Sequence, residues 1–185
     1  MPDPQTEDTM PAGTSLAPLF PDWGQYNDRL IAAVRDLSTD QLAIRASPDH
    51  FPIWALTAHT AGARTFWLCT VIGEPGIERT PFTDPTGFGW EDDPDHPRDA
   101  AELVGALEST WSVVADCLAR WMVASLDDVV ERRGATGIQY HTKASILSRL
   151  MTHDAFHAGE ISQLLGVHRL PEIDLWARDR SVRPG

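Results

Sequence analysis

The segment Met151-Thr152-His153-Asp154-Ala155-Phe156-His157-Ala158-Gly159-Glu160 decides how the rest of the chain is interpreted. Its two histidines, His153 and His157, are four residues apart. Side chains at this spacing lie one turn above each other on the same side of an α-helix. One metal ion could therefore contact both imidazoles without any bend in the backbone.

The neighbours of this pair predict an inward-facing position for both histidines. Steps of three and four residues form one helical stripe, which consists of Ile146, Leu150, His153, His157, Ile161 and Leu164. An imidazole that faces a core needs a partner for each ring nitrogen, which a metal ion and a second acceptor supply. Satisfied core histidines or helix-surface histidines are the alternative, and the spacing alone leaves both interpretations open.

Three further segments upstream show helical periodicity with helix caps or breakers at their ends. Together with the last one, the predicted helices run from Trp23 to Leu37, from Pro52 to about Ile72, from Asp99 to about Ser125 and from Thr142 to Val167. Strand patterns are nearly absent, and Gly134 and Gly137 are expected only to loosen the chain. The sequence therefore predicts an all-α four-helix bundle, an architecture that places metal ligands between facing helices.

Two segments lack this periodicity. Residues 1–20 are rich in proline and are expected to form a disordered or loosely packed lead-in to one domain over residues 21–185. Residues 74–97, between the second and third helices, are rich in proline and glycine and predict a long ordered loop. Phe82, Phe88 and Trp90 would be costly to leave in water, so the loop should fold back and either cover core or line a pocket.

Length and charge limit the class of protein. The 185 residues fit one domain with a good core. A net charge of −12 without a basic stripe argues against a nucleic acid partner and favours small molecules. Cys69 and Cys117 lie in apolar helical runs, which predicts buried, reduced thiols. With no secretory signal and no apolar run of about 20 residues, we expect a cytoplasmic protein with no membrane partner.

A third histidine connects these features. His59 lies on the inward face of the second predicted helix, in Leu56-Thr57-Ala58-His59-Thr60-Ala61-Gly62-Ala63. This segment and the motif from His153 to Glu160, in this order, resemble the DinB/YfiT-like family of four-helix-bundle metalloproteins over about residues 22–167. The resemblance implies a divalent metal site of His59, His153 and His157 with open positions for water or a thiol. Zinc or nickel is expected first, and iron or copper also suits three imidazoles.

The resemblance also implies a type of reaction. Family members with assigned activity are transferases and isomerases that use a low-molecular-weight thiol, mycothiol or bacillithiol. This chain would then be a metal-dependent thiol S-transferase or isomerase that acts on a small electrophile. Three neutral imidazoles leave the ion its full charge, so a bound thiol or water would lose its proton near neutral pH.

Two carboxylates lie near the histidine pair. Glu160, three residues after His157, is the candidate catalytic residue because it could accept a ring N–H or act as a base. Asp154 is predicted to lie on a solvated helix face. Arg45, Arg64 and Arg149 could bind the carboxylates of a thiol or an acid substrate, and surface ion pairs explain them equally well.

Two other functions deserve comparison. A zinc peptidase is disfavoured because Asp154 replaces the glutamate of H-E-x-x-H and no third ligand follows His157 at a familiar spacing. The other alternative is a non-catalytic bundle that the metal holds together and that binds or senses a small ligand. A fourth protein ligand to the metal would favour this alternative. His141 is too far from His153 along the helix to supply that ligand. Homodimerisation through helix faces is a further expectation.

Overall fold

The computed structural model describes residues 13–83, 89–134 and 137–174. Four long helices dominate it, and they are α1 Pro21–Arg35, α3 Ile53–Thr65, α4 Ala100–Arg120 and α5 Lys143–Val167, with the one-turn helix α2 Thr39–Leu42 after α1. A π-helical segment, Phe66–Ile72, continues α3 and ends at Gly73 in the left-handed region, with φ of 89°. The prediction of a mostly helical chain with four long helices is confirmed.

Side-chain caps fix where the last two long helices begin. The Asp99 carboxylate accepts a hydrogen bond from the Glu102 N–H at 2.9 Å, and the Thr142 hydroxyl accepts one from the Ser145 N–H at 3.1 Å. These bonds satisfy backbone donors that the first turn of a helix leaves free. The predicted starts of both helices are therefore correct. Helix α4 ends at Arg120, before the predicted Ser125, because Trp121 adopts an extended backbone.

The expectation of an all-α chain holds only in part, because a β-hairpin precedes α5. Strands β1 (Val129–Gly134) and β2 (Gly137–Thr142) pair antiparallel, with Gly134 opposite Gly137. The two residues between the strands in the sequence, Ala135 and Thr136, are not of the Asn-Gly or Asp-Gly type that indicates a hairpin. Most hairpin residues are exposed or half-buried. The strands therefore lack the apolar alternation that would have marked them in the sequence.

The core lies between the long helices. Helix α3 packs against α4 and α5, and α1 packs against α4. One apolar cluster joins the second half of α1, α3 and the first half of α4 to the second half of α5. Another joins the start of α1, the π-helical segment, the end of α4 and the start of α5. Three buried polar residues, Asn27, Arg64 and Asp154, lie between the cluster members on their helices. A polar layer therefore separates the two clusters.

The irregular segments pack against this core. From the predicted lead-in, Leu16 is fully buried and its N–H donates to the Trp121 carbonyl at 3.0 Å, whereas residues 1–12 lie outside the described residues. The division of the chain at residue 20 stays a prediction. In the long loop, Phe82 and Trp90 contact each other with ring centroids 5.1 Å apart and pack against the core, and Phe88 lies outside the described residues.

Among the described helices, none combines the length and apolar character that a membrane span requires.

Candidate metal centre

Three histidines from two helices meet at one point of the structure. His59 comes from α3, and His153 and His157 come from consecutive turns of α5. One nitrogen from each ring can be chosen so that all three lie within 4.8 Å of one another. The Nε2 atoms of His59 and His153 are 3.0 Å apart. The structure thus brings together the three residues that the sequence predicts as ligands.

Carboxylates hold two of the three rings. Glu91 Oε1 lies 2.6 Å from His59 Nδ1, and Glu160 Oε2 lies 2.6 Å from His157 Nδ1. In each pair the Nδ1–H donates to the carboxylate, which fixes the tautomer and leaves Nε2 as the lone-pair nitrogen. This arrangement of carboxylate, imidazole and free Nε2 is the one that metal-binding histidines commonly adopt.

The protonation of the rings reflects their surroundings. The hydrogen bond to Glu91 raises the pKa of His59 above its usual value, although burial lowers it. Burial, followed by the charges of His157 and His59, lowers the pKa of His153 to about 4. His153 is therefore neutral at physiological pH, the form in which an imidazole binds a metal.

The donor set fits a divalent metal ion. Two lone-pair nitrogens at 3.0 Å repel each other unless a proton or a cation lies between them. Zinc–nitrogen bonds of about 2.0–2.1 Å would place neighbouring ligand atoms at comparable separations. In addition, His153 Nδ1 is buried and has no hydrogen-bond partner within the described residues. Imidazole ligands suit zinc, nickel, copper and iron, so the three histidines could hold any of these ions.

The predicted apolar stripe on α5 is correct at Ile146, Leu150 and Ile161 but is displaced by one residue at both histidines and at Leu164. The buried positions are Ile146, Leu147, Leu150, Asp154, Ala158, Ile161 and Leu165, whereas all three histidines are only partly buried. The ligands of α5 therefore lie at the edge of the core stripe and not at its centre. This position allows solvent and small molecules to approach them.

The prediction that Asp154 lies on a solvated helix face is wrong. The Asp154 carboxylate is buried and accepts hydrogen bonds from Arg64 Nη2 and Trp23 Nε1, both at 2.9 Å. Arg64 is buried as well, and its Nη1 donates to Asn27 Oδ1 at 2.7 Å. Arg64 therefore neither forms a surface ion pair nor binds the carboxylate of a thiol or an acid substrate. The sequence contains a signal for both, because Arg64 is the only charged residue between Ile53 and Ile72 and Asp154 lies on the apolar periodicity of α5.

Two separate cavities reach the histidine cluster. The first, of about 520 Å³, is lined by His59, His153 and Glu91 and by aromatic residues of the π-helical segment and the loop. The second, of about 510 Å³, is lined by His157, Glu160 and Arg45, and it shares no lining residue with the first. Both volumes are in the range of small-molecule sites. The long loop therefore lines a pocket, in addition to covering core.

Sequence reasoning missed Glu91, the partner of His59. Glu91 lies in a short 3₁₀ turn, Trp90–Asp92, within the long loop. A Cβ atom on Gly89 would collide with the Glu91 carboxylate, so the glycine makes room for it. No spacing rule connects a loop glutamate to a histidine 32 residues away, and only the path of the loop brings them together.

Comparisons with known proteins show the family and the fold of the chain. The model of the DinB superfamily matches residues 24–161. The crystal structure of a DinB-like protein from Bacillus cereus ATCC 10987 has a similar fold, with a TM-score of 0.67 and 14% sequence identity over 85% of this chain and 95% of that chain. At this identity the likeness shows the fold alone. No curated protein sequence matches the chain.

Proposed function

Because the chain belongs to the DinB superfamily, we propose that it is a divalent-metal-dependent enzyme that uses a low-molecular-weight thiol, of the mycothiol or bacillithiol type. The reaction would be a transfer or an isomerisation on a small electrophile. The observation that carries the proposal is the convergence of His59, His153 and His157 within 4.8 Å.

Each residue of the cluster has a role in this proposal. The three imidazoles hold the ion, with zinc or nickel as the expected metals. Glu91 and Glu160 orient His59 and His157 through their Nδ1–H groups and increase the basicity of the rings. An ion held by three neutral ligands keeps its full charge and lowers the pKa of a thiol or water that binds it.

The surroundings of the cluster support catalysis over a purely structural metal site. A structural site is normally closed by four protein ligands, whereas a catalytic site keeps an open position. Within the described residues, the cluster that could hold a metal contains three histidines and no fourth ligand. The His59 side chain is 35% exposed, and a cavity reaches it. These features suit a site that substrates enter.

Glu160 is proposed as the catalytic residue as well as a partner of His157. Its side chain is 38% exposed and lines the second cavity, so it can exchange a proton with a molecule bound there. A carboxylate base typically contributes about 100-fold or more to the rate. We therefore expect Glu160→Gln, measured at saturating metal, to lose about 100-fold in kcat. An unchanged kcat of Glu160→Gln at saturating metal would reduce Glu160 to a positioning role.

The first experiment is elemental analysis of untagged protein after reconstitution with zinc or nickel. We expect about one ion per chain in the wild type. The variants His59→Ala, His153→Ala and His157→Ala should each lose it, because two imidazoles hold a divalent ion poorly. His141→Ala is the matched control, since His141 contacts the Trp67 ring and is not part of the cluster. A wild type that binds no metal would refute the proposed function.

The second experiment tests the chemistry. Metal-loaded protein is incubated with mycothiol or bacillithiol and a panel of small electrophiles. Loss of free thiol reports a transfer, whereas thiol-dependent conversion of the electrophile with no net loss of thiol reports an isomerisation. Turnover that disappears in His153→Ala supports the enzyme. Bound metal without turnover of any pair would instead favour the alternative function, a metal-stapled bundle that binds or senses a small ligand.

Three aspects of the setting complete the proposal. The four long helices would form a four-helix bundle. The protein would be cytoplasmic and would form a homodimer. The free thiols Cys69 and Cys117 support a reducing compartment. Light scattering coupled to size exclusion measures the dimer directly, and a monomer at micromolar concentration would refute it.

A further inference from the structure

Two arginines line the first cavity together with the histidines. Arg132 comes from β1, and Arg149 comes from α5, four residues before His153. Residues four apart on a helix lie on the same side, so Arg149 precedes His153 by one turn on the wall of the cavity. The cavity therefore has a cationic part and a second part, which is lined by the histidines together with the carboxylates of Glu91 and Asp92.

These two arginines differ from most of the other arginines that the structure describes. Within the described residues, at least six arginines form ion pairs with carboxylates, and they include Arg35, Arg64, Arg79, Arg98, Arg120 and Arg133. Arg132 and Arg149 form no ion pair with any carboxylate of residues 13–83, 89–134 or 137–174. In a chain with a net charge of −12, carboxylates are abundant, so two uncompensated guanidiniums at one cavity indicate an external anion.

Aromatic rings hold both guanidiniums in place. The Cζ atoms of Arg132 and Arg149 lie 5.3 Å and 4.9 Å from the centroid of the same Trp67 ring, and Arg132 also lies 5.4 Å from the Phe66 ring. Across the hairpin, the Gln139 amide oxygen accepts a hydrogen bond from Arg132 Nη1 at 3.0 Å. Stacking on an aromatic ring restrains each planar guanidinium group and leaves some of its N–H donors free for a ligand.

We propose that Arg132 and Arg149 form a binding site for the carboxylate of a small, planar organic acid in the cavity that His59 and His153 also line. A guanidinium fork matches a carboxylate with two parallel hydrogen bonds. Phe66, Trp67 and Phe82 supply apolar walls for the remainder of the molecule. Binding itself needs no metal, whereas the role of the site as an anchor that presents the acid to the metal rests on the proposed function.

The test is calorimetric titration of benzoate, with benzamide as the neutral analogue and inorganic phosphate as a second anion. We expect benzoate to bind wild-type protein and benzamide to bind at least about tenfold more weakly, as the loss of charge-assisted hydrogen bonds requires. Phosphate should bind more weakly than benzoate because it cannot use the apolar walls. Tighter binding of phosphate or equal binding of benzamide would overturn the carboxylate assignment, and so would no binding of benzoate.

Variants locate the site. Arg132→Gln and Arg149→Gln should each weaken benzoate binding by about tenfold or more. Arg133→Gln is the matched control, because Arg133 lies on the same strand, pairs with Glu131 and does not line the cavity. Thermal melts followed by circular dichroism check folding. If a glutamine variant unfolds, the lysine variant replaces it, and it should also bind benzoate more weakly because it lacks the planar fork. An unchanged affinity for benzoate in the variants of both Arg132 and Arg149 would overturn the proposal.

Repeating the titration after removal of metal separates this inference from the proposed function. Arginine-dependent binding should persist in chelator-treated protein. If the protein binds no metal but still binds benzoate through the arginines, the proposed function fails and the carboxylate site stands. If the protein binds metal but does not bind benzoate, the carboxylate site fails and the proposed function stands.

Discussion

Arg64 and Asp154 form an ion pair inside the protein, with Nη2 and Oδ2 2.9 Å apart and side chains that are 1% and 10% exposed. The pair joins α3 to α5, the two helices that supply the histidine ligands. Trp23 and Asn27 connect it to α1 through further hydrogen bonds. Because Asp154 directly follows His153, this network fixes the position of α5 relative to His59.

Removal of this carboxylate should destabilise the fold strongly. Asp154→Ala leaves the Arg64 guanidinium buried without its counter-ion, which costs about 3–5 kcal/mol in comparable cases. We expect the free energy of unfolding, measured by urea denaturation of metal-free protein, to fall by about this amount. Glu108→Ala is the control, since its pair with Arg35 is exposed and should contribute less than about 1 kcal/mol. Equal losses for both variants would contradict the assigned role of the buried pair.

The hydrogen bond between Glu91 and His59 should strengthen metal binding. In Glu91→Gln the ring loses its carboxylate partner, and such changes typically weaken metal affinity by about 10–100-fold. Competition with a fluorescent zinc chelator measures the dissociation constant. The exposed Glu108→Gln should leave it unchanged. An unaltered affinity in Glu91→Gln would show that the loop carboxylate does not support the ligand.

Glu74 should make stability depend on pH in acid. Burial raises its pKa, but hydrogen bonds from Trp121 and Arg120 outweigh burial and hold the pKa below its usual value. A carboxylate with a lowered folded-state pKa contributes stability that is complete above the unfolded pKa, and this stability is lost as the pH falls through the folded pKa. The deficit of Glu74→Gln relative to the wild type should therefore be about 2 kcal/mol at about pH 7 and should shrink in acid. The free energy of unfolding of both proteins is measured by urea denaturation at neutral and at acid pH. A deficit of Glu74→Gln that is the same under both conditions would contradict this assignment.

The two cysteines should differ in reactivity. Cys117 is fully buried, and burial raises the pKa of its thiol to about 12, whereas Cys69 is only half-buried. Because the thiolate is the reactive form, native protein treated with iodoacetamide at about pH 8 should be modified slowly at Cys69 and not at Cys117. Mass spectrometry of peptides measures the sites. Unfolding in urea should expose both, and native Cys69→Ser should stay unmodified. Rapid native labelling of Cys117 would contradict the packing of α4.

The sequence by itself determined the features that depend on local spacing. The starts of α4 and α5 follow from Asp99 and Thr142, because a cap acts on backbone groups three residues away. The pair of His153 and His157 follows from helical geometry, since one turn separates them whatever surrounds the helix. His59 could be added because its motif and that around His153 together resemble a known family.

Only the tertiary structure decided which groups surround the histidines. The Glu91–His59 contact spans 32 residues, and the Arg64–Asp154 contact spans 90. Whether a charged residue is solvated or buried depends on whether a partner reaches it, and helical periodicity does not contain that information. The same reason applies to Arg132, whose hairpin has little apolar pattern but places a cation at the cavity. The sequence could therefore supply the three ligands and also Glu160 and Arg149, whereas only folding brought Glu91 and Arg132 to the cavity beside them.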